Sequence, residues 1–179
     1  ALLDAIARCR ASADGARVRA YRESRGLASA AVAVVIQELV VGDVSGVMFT
    51  RDPDMPDEAL ISSTWGLCEG VVQGAVPCDT FRVGRLDGTI RAHIADKDRL
   101  VILVGGAPVE ADVAPERRRA PSLSDDVARE VAAQGWRLEA AIGRPLDVEW
   151  TRVDGRIVLL QARPITRTMP TGRRLLWDN

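Results

Sequence analysis

Leu146-Asp147-Val148-Glu149-Trp150 and Ile157-Val158-Leu159-Leu160-Gln161-Ala162-Arg163, separated by a segment containing Asp154-Gly155, are the stretch from which the fold is read. In the first half, apolar Leu146, Val148 and Trp150 alternate with Asp147 and Glu149. That period of two marks a strand with one buried face and puts both carboxylates on the other. The second half likewise puts Gln161 and Arg163 on one face, and Asp154-Gly155 is a hairpin turn signal. Turn length decides whether the two sets meet. A two-residue loop, Asp154-Gly155, leaves the carboxylates on the face away from Gln161 and Arg163. A three-residue loop, Val153 to Gly155, with Gly155 left-handed as in a G1 bulge, shifts the pairing and sets Asp147 opposite Gln161. The second register is the expected one. It gathers two carboxylates, an amide oxygen and a guanidinium on one patch of sheet, a set that suits magnesium plus a polyphosphate: hard oxygens hold the ion and a cationic fork grips the phosphate. The same residues also describe an ordinary solvated sheet face with a salt bridge.

Working outward, short β-branched runs predict further strands at Ala31–Val40, Val44–Thr50, Ala59–Trp65, Asp79–Val83, Thr89–Ile94 and Arg99–Val104. Gly105 to Ala120, with Pro108, Pro115 and three consecutive arginines, reads as an exposed loop. A helix is expected where Ser122 precedes Asp125 at capping-box spacing, with Leu123, Val127, Val131, Leu138 and Ile142 down one side and Gly143 and Pro145 ending it. Leu2 to about Arg22 is helical in composition, interrupted at Asp14-Gly15 and closed by Gly26. The fold class is α+β, mainly antiparallel sheet with flanking helices.

The 179 residues, 47% apolar and 27% charged, suffice for one sizeable core. The net charge is -1 with acids and bases interspersed, and Lys97 is the sole lysine, so no nucleic-acid surface is indicated. Cys9, Cys68 and Cys78 form no CxxC pair and suggest neither a disulfide framework nor a zinc site; a reducing cytoplasm is the expected setting. No apolar run is long enough to cross a bilayer, and no signal pattern is seen. The start at Ala1 suggests a piece of a longer protein.

Read together, Ala33-Val-Val-Ile-Gln-Glu-Leu-Val40, Ser45-Gly-Val-Met-Phe-Thr-Arg-Asp-Pro53, Trp65-Gly-Leu-Cys-Glu-Gly-Val-Val-Gln-Gly74, Asp147-Val-Glu-Trp150 and Leu160-Gln-Ala-Arg-Pro-Ile-Thr166 resemble, in order, the amino-terminal ATP-grasp domain of the phosphoenolpyruvate synthase, pyruvate phosphate dikinase and rifampicin phosphotransferase family. The resemblance implies an ATP-grasp subdomain over residues 1–168, with 169–179 beginning a linker to further domains. It implies that Gln37, Glu38, Leu39 and Val40 read the adenine edge, that Glu149 and Gln161 hold magnesium with Asp147 beside them, and that Arg163 contacts phosphate. Glu149 and Arg163 would thus be the catalytic pair, with ATP and Mg2+ as cofactors. Glu69 is a further candidate, or else a helix cap. The implied partners are an upstream ATP-grasp lobe, whose phosphate-binding lysine and Arg-Ser-Ser segment are not found before Ala31, and a swivelling phosphohistidine domain. The lone His93 is expected to be an ordinary strand residue.

The reaction implied passes the ATP β-phosphate to the carrier histidine and on to a small acceptor such as pyruvate or a rifamycin. The isolated chain would be inactive and prone to self-association. Cys68, where the family has glycine, and Pro77-Cys78-Asp79, where it has Thr-Pro-Asp, leave open a degenerate nucleotide-binding or interaction module.

Overall fold

A computed structural model describes residues 2–26, 28, 32–72 and 74–165. The chain divides into two compact units, Ala1–Leu39 and Val40–Asn179. The first is helical: α1 (Leu2–Ala11), a 3-10 turn at Ser12–Asp14 and α2 (Ala16–Arg25). The break falls at Gly15, and Gly26 closes α2 in the left-handed conformation, φ 62°, donating to the carbonyls of Arg22 and Glu23. Residues 32–43 carry no regular structure, so the strand expected at Ala31–Val40 does not form over its described part. A strand persists only as a member of a ladder, and among the described residues none pairs with this one.

The second unit is a six-stranded antiparallel sheet in the order β4-β3-β2-β1-β7-β8, made of β1 (Val44–Phe49), β2 (Glu58–Trp65), β3 (Asp79–Gly84), β4 (Ile90–His93), β7 (Leu146–Val153) and β8 (Arg156–Pro164). Helix α5 (Asp125–Ile142) covers one face of it. There Met48, Ile61, Phe81, Val83, Leu146, Val148 and Trp150 are almost completely buried against Ala128, Val131 and Ala132. Gly135 permits this approach, because a Cβ built there would lie 1.7 Å from Met48 Cε. The helix begins two residues later than its sequence suggests. Ser124 Oγ accepts from the Val127 amide, whereas Ser122 is buried with its hydroxyl 2.7 Å from that of Ser63. Its buried stripe is 128, 131, 132, 135 and 139, and Ile142 is exposed at the end, where Gly143 caps the helix at φ 81°.

Gly105 to Ala120 is not all loop. Gly105 and Gly106, both at positive φ, turn β5 (Arg99–Val104) into β6 (Ala107–Asp112), and Pro115–Arg118 forms the short helix α4. Pro108 is tolerated because a two-stranded sheet consists of edges only. Gly66 joins this hairpin to the main body through a parallel bridge with Val101. The linkage is reinforced by a fully buried ion pair: Asp79 Oδ1 accepts from Lys97 Nζ at 2.5 Å and from the Ala95 amide, and Oδ2 accepts from the Ser122 amide.

Candidate functional site

The hairpin β7–β8 meets its expected end by a different route. Its turn is the two-residue Asp154-Gly155, with φ 49° and 76°, so Val153 pairs with Arg156 and Trp150 with Leu159. Two residues at positive φ give the strands the twist they prefer, and Asp tolerates that conformation better than most. The register then slips at Leu160, which has no partner on β7, so that Glu149 pairs with Gln161 and Asp147 with Arg163. The three-residue loop and the Asp147–Gln161 pairing are therefore corrected. The bulge lies inside the strand, and it restores the common face that the turn alone would have lost.

On that face Gln161 Nε2 donates to Glu149 Oε1 at 3.3 Å, and Arg163 Nε donates to Asp147 Oδ2 at 2.9 Å. Arg163 stays mostly exposed while the Asp147 carboxylate is largely covered. Burial pushes the Glu149 carboxyl above the usual range, outweighing the attraction of Arg163, and the Asp147 charge adds a smaller push in the same direction. Two carboxylates and an amide, all offering oxygen, fit a hard divalent cation, and a cation there would relieve the desolvated Glu149. Among the described residues no group of three or more His, Cys, Asp or Glu side chains forms a closed cage. Such an ion would complete its shell from water and ligand oxygens, as magnesium characteristically does.

Val47 of β1 pairs with Glu149 and so shares the face. It packs with Cys68, Val71 and Leu160, and the four-residue helix α3 (Glu69–Val72) lies beside β1 and β2. Cys68 is buried with its thiol donating to the Gly46 carbonyl at 3.2 Å. Burial first, then the Glu149 charge, pushes that thiol up to about 12, so it is an inert filler beneath the carboxylates. Glu69 opens α3 with its side chain exposed. His93 is exposed on β4, paired with Thr80 at the sheet edge, four strand spacings from β7 and so roughly 19 Å away. Gln37, Glu38 and Leu39 are exposed in the N-terminal unit, and the half-buried Val40 begins the second. The structure thus brings together Asp147, Glu149, Gln161 and Arg163.

The family described as pyruvate phosphate dikinase, AMP/ATP-binding domain, matches residues 1–174. A probable phosphoenolpyruvate synthase of Methanothermobacter thermautotrophicus is 38% identical over 92% of this chain and 25% of its own length. A rifampicin phosphotransferase of a Streptomyces species is 36% identical over 97% of this chain and 20% of its own. The prodigiosin synthesizing transferase PigC of Serratia marcescens is 39% identical over 90% and 19% respectively. The chain spans a quarter or less of the length of these relatives. With a family match over nearly all its residues, the chain belongs to the AMP/ATP-binding domain family of pyruvate phosphate dikinase.

Proposed function

We infer that this chain is the nucleotide-gripping half of an ATP-grasp domain and that it holds magnesium-ATP on the β7–β8 face. Glu149 and Gln161, with Asp147 adjacent, hold the ion, and Arg163 exchanges part of its bond to Asp147 for phosphate oxygens. The bound ion would supply neutralisation of phosphate charge. Gln37 to Val40 offer backbone groups to the adenine edge, and Glu69 lies in the segment beside the phosphates. In the full-length protein the β-phosphate passes to a histidine carried by another domain and then to a small acceptor such as pyruvate or a rifamycin. This chain contributes positioning and charge complementarity rather than a covalent intermediate.

The observation that carries this reading is the Leu160 bulge. A bulge disturbs the ladder and is a feature of sites where a side chain must be re-aimed, and here it re-aims Gln161 and Arg163 together onto the carboxylate face. A merely solvated face has no need of it. Calorimetric titration of magnesium-ATP into the full-length protein, with the carrier histidine disabled, tests the assignment. Binding is expected to weaken at least tenfold in both Glu149→Ala and Arg163→Ala. Unchanged binding in both variants would place the nucleotide elsewhere, and a folded wild type that binds none would be a degenerate module.

A further inference from the structure

On the helix side of the sheet, away from the hairpin face, an open cavity of about 300 Å³ lies where α5 ends and β7 begins. Arg51, Arg85 and Arg144 line it, and Glu139 is the one carboxylate among them. Glu139 is almost buried, and its Oε1 accepts from Arg51 Nε at 3.1 Å and Nη2 at 3.0 Å. Arg85 Nη2 is ion-paired with the same oxygen at 2.8 Å, whereas its buried Nε has no hydrogen-bond partner. Glu139 Oε2 is buried without a well-aligned hydrogen bond, and although burial alone would raise it, the Thr50 hydroxyl with Arg85 and Arg51 holds the Glu139 carboxyl below the usual range. Trp136 holds the Arg85 guanidinium 5.3 Å from its ring centre and is itself fixed by a 3.0 Å bond from Nε1 to the Thr50 carbonyl. Arg144 makes no ion pair among the described residues.

Three guanidiniums against one carboxylate leave a surplus of two positive charges around a space whose lining residues carry the unpartnered Arg85 Nε and the incompletely bonded Glu139 Oε2. Buried polar groups of native proteins are rarely left in that condition. We propose that this cavity is a site for hydrogen phosphate, in which Arg85 and Arg144 grip the dianion and Glu139 Oε2 accepts its P–OH proton. Guanidinium forks suit tetrahedral oxyanions. The carboxylate supplies selectivity, because sulfate carries no proton at neutral pH and would meet Glu139 with an oxygen lone pair against another. Occupancy would reach the nucleotide side of the sheet through Thr50, whose hydroxyl accepts from the Leu146 amide, one residue before Asp147.

The test is titration of the 15N-labelled full chain with inorganic phosphate at constant ionic strength, following the Trp136 indole N–H resonance. A saturable shift is expected, with sulfate at least tenfold weaker. Arg144→Gln removes a largely exposed arm without disturbing the core and is expected to weaken phosphate at least tenfold, as is Ala140→Glu, which adds a negative charge to the wall. Arg163→Gln, on the hairpin face, is expected to leave the titration unchanged. The proposal is overturned if chloride or sulfate shifts the resonance as phosphate does. It is equally overturned if Arg144→Gln keeps the wild-type response, or if Arg163→Gln abolishes it.

Discussion

Glu149 and Lys97 are two charged residues withdrawn from water, and they have opposite consequences. Glu149 has a raised pKa from burial and from Asp147, so its charged form is less favoured in the folded chain than in the unfolded one. A carboxyl raised on folding favours the folded state while protonated, and that contribution is lost as pH rises from below about 4.5 through the higher folded value. Glu149→Gln should therefore be more stable than wild type at neutral pH, with the difference vanishing near pH 4 in urea titrations, while losing magnesium-ATP binding. Equal stability at both pH values would deny that the site is held under electrostatic tension. Lys97 is paired and satisfied at zero exposure. Lys97→Met leaves Asp79 as an uncompensated buried charge and should cost about 3–5 kcal/mol in urea unfolding. Arg99→Met, which breaks the exposed pair with Glu110, should cost no more than about 0.5 kcal/mol. Lys97 was visible in sequence as the only lysine among many arginines, but nothing local pointed to Asp79. The arginines of the phosphate cavity were hidden by that same abundance: Arg51, Arg85 and Arg144 are far apart in the chain and converge only after folding.

At the level of elements, the strands β1, β2, β3, β4, β5, β7 and β8 were legible because β-branched runs and alternation are local signals that the pairing of the strands bears out. The start of α5 was less so: Ser122 and Ser124 both offer a cap, and only the buried contact with Ser63 decides which one is occupied elsewhere. The bulge had no signature at all, since Leu160 is an ordinary strand residue. Its role is nonetheless testable. Deleting Leu160 would remove the extra residue and leave Gln161 opposite Glu149 and Arg163 opposite Asp147 in a regular ladder continued from Trp150–Leu159. The deletion variant should keep its strand signal in circular dichroism and bind magnesium-ATP within about threefold of wild type, because the common face survives. A tenfold loss in a folded deletion variant would show that the common face alone does not make the nucleotide site.

For the whole molecule, the segment read as a strand and found without one is the informative discrepancy. Val35, Ile36, Leu39 and Val41 are exposed at 79%, 63%, 64% and 47%, an apolar density that soluble surfaces rarely present along so short a run. A sequence with strand propensity, unpaired backbone and apolar side chains meets two of its needs at once by pairing with another strand. In the proposed full-length architecture the upstream lobe would cover this segment; in the chain by itself a second copy can. Light scattering of the chain should therefore give a mass that climbs above 19.3 kDa with concentration. Replacing Val35 and Ile36 by threonine, which keeps β propensity but removes apolar surface, should shift that rise to at least several-fold higher concentration. The full-length protein should not show the effect through this segment. A mass that stays at one chain across the whole range would mean that these side chains are tolerated in water, and the adenine-edge role assigned to Gln37, Glu38, Leu39 and Val40 would then lose its best physical reason for so apolar a neighbourhood.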